Sequence, residues 1–113
     1  MKKAEHIKFT RRYQKLQDKL FHTVRWTDTS YVLGKTYQVL LGSYGGLSQP
    51  YGEARVVKME LRKMSDLTEI FIRKDAECDK KVFFELMKSW YGKKPNWKGW
   101  DSEIQVIWLR RVE

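Results

Sequence analysis

Lys19-Leu20-Phe21-His22-Thr23-Val24-Arg25-Trp26 is where one periodicity gives way to another. Upstream, Tyr13, Leu16 and Leu20 recur at helical spacing, and Thr10 offers an N-cap hydroxyl. The spacing predicts a helix over about Arg11 to Leu20, with Arg11, Arg12, Lys15 and Lys19 on its flanks. Downstream the chain reads as strands, the next covering about Phe21 to Trp26. Thr23 and Arg25 lie two apart on that strand, so both point to the same face. A hydroxyl and a fixed cation on one face, with Lys19 nearby, suit a phosphate or a carbonyl oxygen. The same spacing also fits the solvated face of an amphipathic strand. His22 then faces the other side and is poorly placed as a base for Thr23.

Working outward, His6-Ile7-Lys8-Phe9 alternates and predicts a first strand. Thr27 to Ser30 is polar and reads as a loop. Gly34-Lys35 leads into a strand over Thr36 to Leu41. The stretch Gly42 to Gly52 reads as a glycine-rich loop. A long alternating strand follows, Ala54 to Met64. Asp66 and Glu69 have capping-box spacing for a short helix ending near Ala76 to Asp79. Asp79 can cap the next helix, Lys80 to Trp90, whose stripe is Val82, Phe83, Leu86, Met87 and Trp90, with Gly92 as its stop. The last strand, Glu103 to Arg111, is apolar on both faces, as central strands are. The order of elements predicts one α+β domain over residues 1–113, its mixed sheet curled into a small β-barrel flanked by helices.

Composition narrows the functional classes. The chain has 113 residues, 42% hydrophobic and 14% aromatic, which is the balance of a folded domain. A formal charge of +9 favours polyanions as partners. Trp26, Tyr44, Trp97 and Trp100 fall in or beside predicted loops among cations, an arrangement on which bases can stack. The two indoles Trp97 and Trp100 equally suit closing one end of a core. Cys78 is the single cysteine and the histidines do not cluster, so neither an intrachain disulfide nor a metal site is expected, and no cofactor is implied. No apolar run is long enough to cross a bilayer, and the N-terminal stretch lacks a signal-peptide core; a cytoplasmic protein without membrane contact is expected. Gly34-Lys35-Thr36 is not a phosphate-binding loop, because Thr29 stands where that motif needs glycine and a strand follows instead of a helix.

Taken together, these stretches resemble the ASCH domain of the PUA-like class. The family motif Gly-x-Lys-x-x-Thr-x-Arg is matched by Asp18 to Arg25, with Thr23 and Arg25 in place, Asp18 for the glycine and Leu20 for the lysine. Gly34, the strand from Gly52-Glu53-Ala54, Leu67-Thr68, the acidic run Asp75 to Asp79 and the closing strand follow in family order. The resemblance implies a PUA-like barrel with an RNA-binding cleft lined by the threonine-arginine strand; the expected RNA or nucleotide site is Thr23 and Arg25 with Lys19 at the rim and Asp79 opposite, and Trp26, Tyr44, Trp97 and Trp100 are the rings on which bases would stack. Small bacterial ASCH proteins that hydrolyse N4-acetylcytidine use a lysine, a threonine and a glutamate, whose positions fall at Leu20, Thr23 and Asp79. An enzyme here, an amidohydrolase of that kind or a ribonuclease, would have to use Lys19, Thr23 and Asp79. A basic surface for an acidic protein partner is the third expectation.

Overall fold

The computed structural model describes residues 2–10, 13–42 and 48–112. Its strands are β1 (Lys2–Lys3), β2 (His6–Phe9), β3 (Leu20–Arg25), β4 (Thr29–Ser30), β5 (Thr36–Leu41), β6 (Gln49–Lys63) and β7 (Glu103–Val112). Its α-helices are α1 (Glu69–Ala76) and α2 (Lys80–Tyr91). Five strands form one sheet in the order β2-β5-β6-β7-β3, parallel only between β2 and β5. β1 and β4 add a short parallel pair where the sequence reads as a tail and a loop.

The sheet curls, and β6 is where it bends. This strand runs for 15 residues and carries two irregularities, one against Val39/Leu40 and one between Val56 and Lys58. Each extra residue bends the strand and raises its twist. Gly52 sits at the first bend with φ +124°, a conformation side-chain-bearing residues rarely adopt. The strand therefore begins at Gln49, inside the stretch expected to be loop. Curling divides the core in two. Ile7, Phe9, Phe21, Tyr37, Val56 and Leu109 fill the concave side. Val24, Trp26, Ile104 and Val106 pack on the convex side against Ile72, Phe83 and Met87 of the helices. β7 lies between β6 and β3 and feeds both clusters, which accounts for its apolar residues on both faces. Among the described residues no helix is long and apolar enough to cross a membrane.

The helix expected over Arg11 to Leu20 is corrected to a 3-10 helix at Gln14–Gln17. Leu20 does not continue its buried stripe; it opens β3 and is 45% exposed. The buried residues are Lys15 and Leu16, and Asp18 is already extended at φ −78°, ψ 150°. The acidic caps also divide their work differently. Asp66 accepts from the Lys63 N–H, closing a 3-10 turn, while Thr68 caps α1 by accepting from the Phe71 N–H at 3.1 Å. α2 starts where expected, with Asp79 Oδ1 accepting from the Val82 N–H at 2.8 Å.

Candidate functional site

The two edges of the curled sheet, β2 and β3, face each other across a seam. Arg25 bridges it. Its Nη2 donates to the Lys8 carbonyl at 2.8 Å, its Nε donates to Thr23 Oγ1 at 3.2 Å, and its guanidinium lies 4.9 Å from the Phe9 ring centre. These bonds use only part of the donor fork. The Thr23 hydroxyl, accepting from Arg25, keeps its own proton to donate.

Beside this bridge is a cavity of about 160 Å³. Its lining joins Thr23, Arg25, Lys15 and Asp75, with Phe9 and Tyr13 beside the cations, to Phe83, Leu86, Met87, Trp90 and Tyr91 of α2. The share of α2 follows from the helical spacing of its residues, which turns one stripe of the helix towards the seam.

Lys15 and Asp75 are the unexpected members. They are 3% and 6% exposed, and Lys15 Nζ donates to Asp75 Oδ1 at 3.0 Å. His22 Nδ1 meets the same oxygen at 2.9 Å, while its ring stacks on Phe71 at 4.0 Å. Lys15 also lies 5.2 Å and 5.4 Å from the Phe9 and Tyr13 ring centres, a cation–π setting in place of lost water. Burial pushes the Lys15 amine below its ordinary pKa, against the pull of Asp75, and Arg25 adds to the lowering. Burial alone would raise the Asp75 carboxyl; the Lys15 charge and the His22 hydrogen bond outweigh it and hold Asp75 below the usual value. The site is therefore a desolvated, charged cluster beside aromatic side chains.

The residues singled out from the sequence are distributed unevenly around it. Thr23 and Arg25 line the cavity. Lys19 is exposed outside the lining, its carbonyl accepting from the Arg111 N–H, and Asp79 is an exposed helix cap. Trp26 is 3% exposed; Tyr91 stacks on it at 5.0 Å and Trp97 leans on it at 6.1 Å. It therefore belongs to the core and offers no open face to a base. Trp100 stacks on Phe84 at 5.1 Å, and Trp97 also meets Phe84, so both indoles close the convex core. Tyr44 lies outside the described residues. Trp90, read from the sequence as part of a core stripe, is the indole on the cavity wall, 38% exposed.

Comparison with protein-family models, with curated proteins and with solved structures finds no match to this chain.

Proposed function

We propose that this chain is an ASCH-type domain that binds RNA or a nucleotide in the cavity at the β2–β3 seam. The supporting observation is the pairing of opposite chemistries around one small space. Arg25, Lys15 and Thr23 offer it cations and a hydroxyl, and Trp90 and Tyr91 of α2 offer aromatic surface. A nucleotide has this same division between a planar base and an anionic phosphate. Arg25 holds phosphate or carbonyl oxygens with the free part of its fork, and Thr23 donates to a neighbouring oxygen. The test is titration with cytidine monophosphate and with single-stranded RNA. Hydrogen bonds to charged groups contribute about 1.5–3 kcal/mol, so Arg25→Gln should weaken binding about tenfold or more. Lys3→Gln should barely change it. Equal effects from the two substitutions would remove the cavity as the binding site.

A second reading rests on Lys15. The sequence holds Leu20 at the lysine position of the N4-acetylcytidine hydrolases it resembles, but Lys15 brings a buried amine of lowered pKa to the cavity that holds Thr23. In its neutral form such an amine takes a proton from the Thr23 hydroxyl or from water as either attacks the amide carbonyl and returns it to the departing N4 nitrogen, releasing cytidine; an acyl group on Thr23 then leaves as acetate by attack of water. In this reading Lys15 and Asp75 do the work assigned above to Lys19 and Asp79. Turnover of N4-acetylcytidine that is abolished in Lys15→Met and unaffected in Lys19→Ala would establish it; no turnover leaves binding as the function.

A further inference from the structure

The convex face of β7 is covered by helices at one end and bare at the other. Ile104 and Val106 lie under α1 and α2, Trp108 stands at the margin, half-buried, and Arg110 is exposed beyond it. Strand register puts Arg110 directly opposite Arg55 of β6, and puts Leu20 of β3 on its other side. The next row on this face is Lys58, Trp108 and His22, with the Lys58 ammonium 5.9 Å from the Trp108 ring centre.

Like charges directly opposite each other across two strands destabilise a sheet. Here no acidic side chain is ion-paired to either arginine among the described residues. Glu60 is engaged with Lys58 and Arg62. Glu53, two residues before Arg55, stands opposite Val112 and forms no ion pair among the described residues.

We propose that Arg55 and Arg110 form a phosphate clamp for the backbone of a single RNA strand, with Lys58 and the rim of Trp108 alongside. Each guanidinium can offer a phosphate its planar donor fork, and the register sets the two residues side by side. The open rim of the half-buried indole and the exposed Leu20 give the strand apolar surface between its phosphates. An anion bound between two like charges offsets their mutual repulsion. The clamp shares its class of ligand with the cavity reading, on which it rests for that class, but not its site.

Arg55→Gln, Arg110→Gln and the double variant test this, read against Lys80→Gln/Lys81→Gln, a double change of equal charge on α2. Binding of a 12-nucleotide RNA and of cytidine monophosphate is measured over a salt series, with thermal unfolding alongside. Each neutralised phosphate contributes about 0.7 to the salt slope of single-strand binding, so the double variant should lose about 1.4. Its melting temperature should rise, because the opposed charges are gone, and cytidine monophosphate should bind as before. The control should keep the slope. An unchanged slope in the double variant, an equal loss in the control, or no binding of the 12-mer at low salt overturns the clamp. Polyglutamate bound as tightly as RNA in an Arg55- and Arg110-dependent way also overturns it and assigns the face to an acidic protein. Loss of cytidine monophosphate binding in every form, with an intact clamp effect on the 12-mer, overturns the cavity reading alone.

Discussion

Lys15 carries a charge into the interior, and Asp75 decides whether the fold tolerates it. Removing one partner of a buried pair leaves an uncompensated charge, which costs about 3–5 kcal/mol. Asp75→Asn and Lys15→Met should each approach that loss in denaturant titrations, whereas the double variant should lose far less than their sum. The pH dependence has a defined sign. The folded-state pKa of Asp75 is depressed, so its contribution is complete above the unfolded value of about 3.9 and disappears as pH falls through the folded value. Lys15 is also depressed, so the unfolded chain binds more protons between the folded value and about 10.4, and stability rises with pH across that window. Both limbs should flatten in the double variant. Thr23 and Arg25 are legible from the sequence because alternation alone pairs them on one face. Lys15 is not, since it is one of four cations around a supposed helix and nothing in its spacing separates it from the others. Asp75 leaves a fainter trace. It follows Ile72 by three and Phe71 by four, which puts a carboxylate in the apolar stripe of α1.

Elements with strong local signals are legible, and those shaped by their neighbours are not. α2 is legible because Asp79, the apolar stripe and Gly92 agree on its limits. Asp79→Ala should therefore lose about 0.5–2 kcal/mol in thermal or chemical unfolding, and Asp79→Ser or Asn should retain most of that stability. If those two variants also keep ligand binding, Asp79 has only its capping role. The segment before β3 misleads because Tyr13, Leu16 and Leu20 satisfy helical spacing by coincidence: two are buried, and the third belongs to a strand edge. β6 misleads for a different reason. Its first residues include Pro50 and Gly52, which read as loop, yet β5 pairs with them through a bend that glycine permits. A Cβ at Gly52 would meet nothing within 4 Å. The loss in Gly52→Ala should accordingly be conformational, about 1–3 kcal/mol, without a steric part. A substitution that leaves the unfolding midpoint unchanged would mean that the bend is not held in this conformation.

At the scale of the molecule, Arg25 links closure of the sheet to the proposed binding site. The mixed, curled sheet is legible from the alternation and order of the strands, but the seam is not, because it depends on β2 and β3 meeting although they lie at opposite ends of the strand order. Only the guanidinium spans it among the described hydrogen bonds, reaching from Thr23 on one edge to the Lys8 carbonyl on the other. Arg25→Lys separates this geometry from charge. The substitution keeps the +9 balance and hence the long-range attraction for RNA. It removes the planar fork, and a flexible ammonium cannot hold both edges and a ligand in the same way. Amide exchange in β2 should therefore quicken, since this four-residue edge strand would lose the hydrogen bond that Arg25 makes to the Lys8 carbonyl across the seam. Cytidine monophosphate should bind more weakly, while the salt slope for the 12-nucleotide RNA stays close to that of the unmodified chain. Arg25→Gln should quicken exchange similarly and also lower the slope, by about 0.7 if Arg25 neutralises one phosphate. If Arg25→Lys leaves both β2 exchange and cytidine monophosphate affinity unchanged, the guanidinium neither closes the seam nor holds the ligand, and the polar contacts in the cavity must be assigned to Lys15 and Thr23 alone.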